Sequence, residues 1–283
     1  MEYLLRQRPG WLRGYISFGC QAEAGSDIGQ QALIALSIRV AAAALAFGAQ
    51  MVLARWLGSF EFGIFTYAAV WLNVAGSLCA AGFGASALRF LPAYQASGDP
   101  AKARGFLVTG CGACLLAGAA GALAMSGYVL VTDPGSSASF ALLLVAASLP
   151  AYALTDFQDG IGRSQGRIAS ALVPPYILRP VLALGATILL IGSGVAEGAV
   201  GAAAALAMGT WLTAAVQLVW QRPLLRKAFP AAAGRSFAPN LWLSVSLPLL
   251  LADGFALLLT NLDVLMLELW TSPEEVGIYY AAI

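Results

Sequence analysis

Seven long apolar runs, separated by short polar segments, make up most of the chain. Each is near or above the roughly 20 residues that an α-helix needs to cross a bilayer core. Charged residues make up only 10% of the chain, against about 25% in soluble domains. The runs predict an all-α polytopic membrane protein with about seven complete spans and an eighth that begins at Gly277. The predicted spans are residues 34–55, 62–85, 106–131, 139–156, 168–192, 198–220 and 241–267.

Most basic residues lie in alternate loops. The intervening loops, at residues 58–61, 132–138, 192–197 and 271–275, contain none. This alternation follows the positive-inside rule and predicts a cytoplasmic N-terminus. It also favours a full span at 139–156, which is otherwise short enough to be a re-entrant segment. The basic groups are Arg6, Arg8 and Arg13; Arg89, Lys102 and Arg104; Arg163 and Arg167; and Arg222, Arg226, Lys227 and Arg235.

A short sequence recurs at a spacing of six spans. Residues 61–65 (EFGIF) open the second span, and residues 275–279 (EVGIY) open the eighth. The two glycines of this repeat are 214 positions apart (277 − 63). Because six spans preserve orientation, the halves would be parallel repeats about an axis along the membrane normal, as in several transporter families. Chance similarity between two apolar segments is the alternative.

The repeat divides the chain into four predicted parts. These are a basic cytoplasmic tail at 1–30, a six-helix lobe at 31–221, a cytoplasmic linker at 222–239 and the start of a second lobe at 240–283. The last helix would end after about seven residues, too few to cross a bilayer. We therefore expect the sequence to be a fragment or the product of a truncated gene.

Two arginines are predicted to lie inside spans, where ionisable groups are costly and often functional. Arg39 lies in the first span and Arg179 in the fifth. Pro174, Pro175 and Pro180 should kink or interrupt the helix around Arg179, and broken helices often line transporter sites. Together with Arg89, these residues would attract an anionic group such as a phosphate. The alternative for the arginines within spans is snorkelling to the membrane surface.

Polar side chains at helical spacing in several spans favour a shared water-filled cavity. Interhelical hydrogen bonding is the alternative reading of these stripes. Asp253, near the middle of the seventh span, could bind a proton or a sodium ion, or neutralise an arginine of another helix. Such a gradient is the only cofactor that the sequence suggests, and no metal site is predicted. The candidate cavity-lining or ion-coupling residues are Gln50, Asn73, Gln217, Asp253, Asn261 and Asp263.

The sequence argues against an enzyme. It contains no histidine, which removes the commonest metal ligand and proton shuttle. Cys111 and Cys114 form a C-x-x-C pair, but their Gly/Ala-rich apolar surroundings favour close helix packing over redox chemistry. A membrane-embedded glycosyltransferase or polymerase usually needs clustered carboxylates or a large polar loop, and no predicted loop exceeds about 20 residues.

Three segments resemble a known family. Residues 53–65 (LARWLGSFEFGIF) are similar to the helix–loop–helix signature of polysaccharide, or oligosaccharide-lipid, flippases. Residues 87–92 (ALRFLP) and residues 261–263 (NLD), followed by 276–279 (VGIY), are also similar and occur in the same order. These flippases belong to the multidrug/oligosaccharidyl-lipid/polysaccharide (MOP) superfamily. The resemblance extends over most of residues 31–283.

The resemblance implies a V-shaped, alternating-access transporter of two six-helix lobes in the bacterial inner membrane. Its cargo would be an undecaprenyl-diphosphate-linked oligosaccharide for surface polysaccharide assembly, and cationic cavity residues such as Arg39, Arg89 and Arg179 would hold the diphosphate. Its partners would be membrane lipid and polysaccharide polymerase or other assembly proteins, without nucleic acid. Multidrug efflux within the same superfamily, and a membrane scaffold that transports nothing, are the alternatives.

Overall fold

The computed structural model describes residues 22–194, 198–230 and 234–282. Within these ranges all regular secondary structure is helical, which confirms the predicted all-α class. Most of the predicted N-terminal tail lies outside them. The elements are α1 (Ala22–Cys79), α2 (Phe83–Ala96), α3 (Pro100–Thr132), α4 (Ser137–Ala146), α5 (Leu149–Ser164), α6 (Ile168–Val173), a π-helical turn (Pro174–Leu178), α7 (Arg179–Gly192), α8 (Gly198–Ala228), α9 (Pro239–Trp270) and α10 (Pro273–Ala282).

Helix α1 consists of two helical arms that meet at Gly58. This residue has φ 77° and ψ 167°, a conformation that is open to glycine but strained for other residues. A straight helix would place Arg39 and Asn73 about 51 Å apart, yet both line one cavity. The arms therefore fold back against each other, and α1 contains the first two predicted spans.

The number of spans equals the predicted seven only if α1 is divided at Gly58 and α4 and α5 are joined into one span. Five helical runs in the described ranges are long and apolar enough to cross a bilayer, or six if α4 and α5, bent by 44°, form one span. Division of α1 at Gly58 adds another. The total of seven stays a prediction because it depends on both of these readings.

The second predicted span ends differently from the expectation. It breaks after Cys79, where Ala81 and Gly82 adopt positive φ angles, and the chain then continues as α2 to Ala96. Arg89 was predicted to lie in the following loop and instead lies on the exposed side of α2. The prediction failed because the change from apolar to polar sequence after residue 85 marks a change in environment and not the end of the helix.

Loops predicted to lie on the same side of the membrane meet in the structure. At one end, which we call the hairpin end because it contains Gly58, the Glu61 Oε2 atom accepts the backbone N–H of Ala199 at 2.7 Å. At the opposite end, which we call the basic end, Gln95 donates to Gln165 at 2.6 Å. The side chain of Arg104 donates to the carbonyl of Pro230 at the same end.

The described helices keep large apolar side chains on their outer surface. Leu116, Leu123, Leu189 and Leu259 are 73–75% exposed, and Val131 is 85% exposed. A surface of this kind is unfavourable in water but matches the hydrocarbon of a bilayer, where helices satisfy their backbone hydrogen bonds internally.

An aromatic core fixes α9 against α2 and α3 at the basic end. Trp242 of α9 is fully buried, and its indole N–H donates to the Tyr94 hydroxyl at 2.8 Å. Its ring packs edge-on against Phe106, with 5.7 Å between centroids. The Ser246 hydroxyl adds a buried hydrogen bond to Ser86 at 2.9 Å. This contact sets the position of α9 relative to α2 and α3.

Candidate functional site: a cavity with two unpaired arginines

A cavity of about 470 Å³ lies between the two arms of α1 and the interrupted fifth span. Leu206 of α8 and Tyr280 of α10 complete its wall, whereas α9 contributes no lining residue. The lining is mostly apolar, with a few polar groups. The residues that form it are Arg39, Ala42, Ala43, Ala46, Ala49, Gln50, Leu53, Phe62, Phe65, Thr66, Ala69, Asn73, Pro175, Tyr176, Arg179, Pro180, Ala183, Leu184, Thr187, Leu206 and Tyr280.

Arg39 and Arg179 are the charged residues of this lining. Each guanidinium lies over a tyrosine ring: Arg39 is 5.8 Å from the centroid of Tyr176, and Arg179 is 4.8 Å from that of Tyr152. Such cation–π contacts hold a cation in place without using its N–H donors. Neither guanidinium has a hydrogen-bond or ion-pair partner among the residues that the structure describes. Both therefore keep their donors free for an anion.

The break in the fifth span positions Arg179. Pro174 and Pro175 lack backbone N–H groups and cannot bond the carbonyls four residues earlier. The helix responds with a π-helical turn, in which the N–H of Arg179 donates to the carbonyl of Pro174 five residues before it. The predicted interruption is thus confirmed, and it turns the side chain of Arg179 toward the cavity.

Two glutamines of α8 lie beside the carbonyls that the prolines leave free. Gln217 Nε2 donates to the Ala171 carbonyl at 3.2 Å, which is the partner that Pro175 cannot bond. Gln221 Nε2 donates to the Gln158 carbonyl of α5 at 2.9 Å, and it also lies 3.5 Å from the Ser170 carbonyl, the corresponding partner for Pro174. Unpaired carbonyls would be costly in a membrane interior, so these amides stabilise the broken helix.

The structure places Gln50 and Asn73 in the cavity lining. Asn73 Oδ1 accepts a hydrogen bond from the Tyr152 hydroxyl at 3.0 Å, and Gln50 lines the cavity together with Tyr280. Gln217, in contrast, is fully buried between α8 and α6, outside that lining. Its role in the structure is to support the helix that carries Arg179.

The remaining candidates do not line the cavity that contains Arg39 and Arg179. Arg89 lines a separate groove between α2 and α9, and Asp253 lies on an exposed face of α9. The amide of Asn261 donates to the Leu257 carbonyl of its own helix at 2.8 Å. Asp263 accepts the Tyr279 hydroxyl at 3.0 Å near the hairpin end.

Sequence reasoning missed four residues that surround Arg179, three of them in α5 and one in the π-helical turn. Tyr152, Asp156, Asp159 and Tyr176 line a small chamber of about 60 Å³ beside the main cavity. A signal was present, because residues 156, 159 and 163 (Asp, Asp, Arg) are spaced as neighbours on one helix face. The predicted fourth span ended at 156, so this face was treated as loop.

A family model described as polysaccharide biosynthesis protein matches residues 28–283. Among solved structures, the chain is similar to a MOP superfamily transporter from Pyrococcus furiosus, whose reversed binding-pocket polarity is described as suggesting a different function. The TM-score is 0.59 at 16% sequence identity, over 85% of this chain and 53% of that chain. This chain thus spans about half the length of that transporter. No curated protein matches the sequence.

Proposed function

The chain belongs to the polysaccharide biosynthesis protein family, and we propose that it flips or exports an undecaprenyl-diphosphate-linked oligosaccharide across a membrane. The family and the similar fold point to a transporter and not to an enzyme, as the sequence predicted.

The observation that carries this proposal is the pair of unpaired guanidinium groups in one cavity. A guanidinium binds phosphate oxygens through two parallel N–H donors, with both geometric fit and charge. The alanines and leucines that surround Arg39 and Arg179 offer an apolar surface to a prenyl chain. A diphosphate joined to a lipid has both features, namely a multiply charged anion beside a hydrocarbon tail.

Multidrug efflux is the competing function. Carboxylates in the main cavity would favour cationic drugs, but its charged lining residues are two arginines. If Arg39→Ala and Arg179→Ala have no effect on surface polysaccharide, a scaffold that transports nothing is the better interpretation.

The setting of this activity is also proposed. The protein would lie in the bacterial inner membrane with its N-terminus in the cytoplasm, as the alternation of basic loops suggests. A proton or sodium gradient would be coupled to transport, and polysaccharide polymerase and other assembly proteins would be its partners.

Complementation of a strain that lacks the gene tests the proposal. We expect Arg39→Ala and Arg179→Ala to reduce surface polysaccharide, since each removes a charge-assisted contact of about 1.5–3 kcal/mol, or roughly 10- to 150-fold in affinity. Arg55→Ala is the matched control, because Arg55 is exposed on the same helix as Arg39 and outside the cavity. Normal polysaccharide with both cavity variants, at normal expression, would exclude the proposed cargo.

A further inference from the structure

The small chamber beside the main cavity contains two carboxylates. Asp156 and Asp159 of α5 line it, together with Thr155. Arg179 and Tyr176 line both this chamber and the main cavity. The guanidinium proposed to bind cargo therefore lies between the cargo space and a carboxylate pair.

One carboxylate oxygen in the chamber has no partner. Asp159 Oδ2 accepts a hydrogen bond from Arg163 Nη2 at 2.6 Å, but its Oδ1 is buried without a hydrogen-bond donor. The residue is only 5% exposed. An ionised oxygen that is removed from water without a hydrogen-bond donor is strongly unfavourable. The chamber therefore favours a proton, or another occupant that neutralises this oxygen.

The surrounding charges favour a proton over a metal cation. Arg163 of the same helix and Arg39 of α1 face Asp159. Asp156 interacts with Arg163, with Arg179 of α7 and with Asp253 of α9, and the tyrosines of the chamber are Tyr152 and Tyr176. A bare cation would add charge beside two arginines and would need several oxygen ligands. A proton needs no coordination shell.

We propose that the Asp156–Asp159 pair binds a proton whose uptake is coupled to anion binding at Arg179. The inference rests on the proposed function, because it uses the same arginine. While both carboxylates are ionised, they balance the charge of Arg179 and Arg163. Protonation of the pair leaves Arg179 with uncompensated positive charge, so an anion in the main cavity binds more tightly.

The coupling acts equally in the other direction. An anion that binds Arg179 brings negative charge close to the pair and withdraws the guanidinium from it, and both effects favour protonation. Thermodynamic linkage requires the two effects to have the same magnitude, typically about 5- to 150-fold in affinity. Binding of the anion should therefore take up a proton from solution.

Farnesyl diphosphate is a suitable probe because it joins a diphosphate to a short prenyl chain. Titration calorimetry in two buffers of different ionisation enthalpy measures the protons taken up on binding. At the pH midway between the protonation midpoints of the free and the bound protein, we expect wild type to take up about 0.4–0.8 proton more than the double variant Asp156→Asn, Asp159→Asn. This difference cancels protonation of the probe itself. Asp133→Asn, a substitution of an exposed aspartate after α3, is the matched control and should behave as wild type.

The affinities provide a second readout with a definite sign. Because asparagine resembles the protonated carboxyl, the double variant should bind the probe at pH 8 about 5-fold or more tightly than wild type. Equal proton uptake in wild type and the double variant would overturn the proposal. The affinity for farnesyl diphosphate could instead depend on sodium concentration at fixed pH in wild type but not in the double variant. That result would show that the pair binds a sodium ion and not a proton.

Infrared difference spectra between pH 5 and pH 8 separate failure of this inference from failure of the proposed function. A protonated carboxyl band that disappears in the double variant would identify the proton site without any ligand. Such a band without binding of the probe to wild type would refute the proposed cargo and the coupling, and would leave only the proton site. Absence of the band at pH 5 would overturn the proton site.

Discussion

Gly63 and Gly277, the glycines of the two sequence repeats, pack directly against each other at the hairpin end. A Cβ atom on Gly63 would overlap the carbonyl oxygen of Pro273, and a Cβ atom on Gly277 would overlap that of Ser59. Ser59 and Pro273 are separated by the same number of residues as the two glycines. The contact is therefore reciprocal, as at a two-fold interface, and this supports the internal repeat.

A side chain at this contact should separate the two helices. We expect Gly63→Val to displace α10 from α1, because the nearest atoms belong to backbone and cannot rotate away. The measurement is cross-linking between cysteines that replace Ser59 and Glu274, whose side chains are 3.1 Å apart, in a background without the native cysteines. The yield should fall several-fold. Gly48→Val is the matched control, because a Cβ there meets no atom within 4 Å.

A backbone N–H should be able to replace the side-chain amide of Gln217 as the hydrogen-bond donor to the Ala171 carbonyl. Gln217→Leu leaves the Ala171 carbonyl buried and unpaired, which should lower the free energy of unfolding by about 1–3 kcal/mol. Adding Pro175→Ala should restore much of this stability, since the new N–H can bond that carbonyl. Thermal unfolding in detergent measures both effects.

Pro180→Ala in the Gln217→Leu background is the control for this rescue. Its N–H would bond the carbonyl of Tyr176 and not that of Ala171. If Pro180→Ala restored stability as well as Pro175→Ala does, the explanation that Gln217 stabilises the protein by bonding the Ala171 carbonyl would be wrong.

The ring and the hydroxyl of Tyr152 should contribute separately. Tyr152→Phe removes the hydrogen bond to Asn73, worth about 0.5–1.5 kcal/mol, but keeps the ring beneath Arg179. Tyr152→Leu also removes the cation–π contact, worth about 0.5–2 kcal/mol, and leaves Arg179 without a fixed position. Binding of farnesyl diphosphate should weaken more in the leucine variant than in the phenylalanine variant. Equal affinities in the two variants would show that the ring does not position Arg179.

Glu61 should stabilise the start of α8. Its carboxylate accepts the N–H of Ala199, and a negative charge is favourable at a helix N-terminus. Glu61→Ala should cost about 0.5–2 kcal/mol, and Glu61→Gln less, because the amide oxygen can still accept the bond. Glu275→Ala, at the corresponding position of the second repeat, is the control, because it removes an exposed charge from the first turn of α10 and should therefore cost less than Glu61→Ala, which also removes a hydrogen bond. The midpoint of thermal unfolding should separate these variants.

The all-α polytopic class could be predicted because each apolar run follows from local hydrophobicity. The length of an apolar run and the position of basic loops do not depend on which helices touch. The prolines around Arg179 were equally informative, since the loss of an N–H interrupts a helix in any environment. The end of the second span was not predicted, because α2 continues as a helix after its sequence becomes polar.

The site was harder to predict because membership of a cavity depends on how helices rotate against one another. Arg39 and Arg179 are 140 residues apart (179 − 39), and only the packing of α1 against the fifth span brings them to one cavity. Gln217 shows the opposite case: helical spacing placed it on a polar stripe, but its partner is the Ala171 carbonyl. Sequence spacing identifies the face of a helix and not what that face contacts.

The hydrogen bond between Glu61 and Ala199 also constrains the order in which the protein can be completed. Its partners are 138 positions apart, so at about 5–20 residues per second the ribosome synthesises Ala199 about 7–28 s after Glu61. During that interval the first hairpin has no α8 to pack against, and the carboxylate stays solvated at the membrane surface. Assembly of the hairpin end therefore has to wait for insertion of the sixth span, which makes this junction a late step in biogenesis.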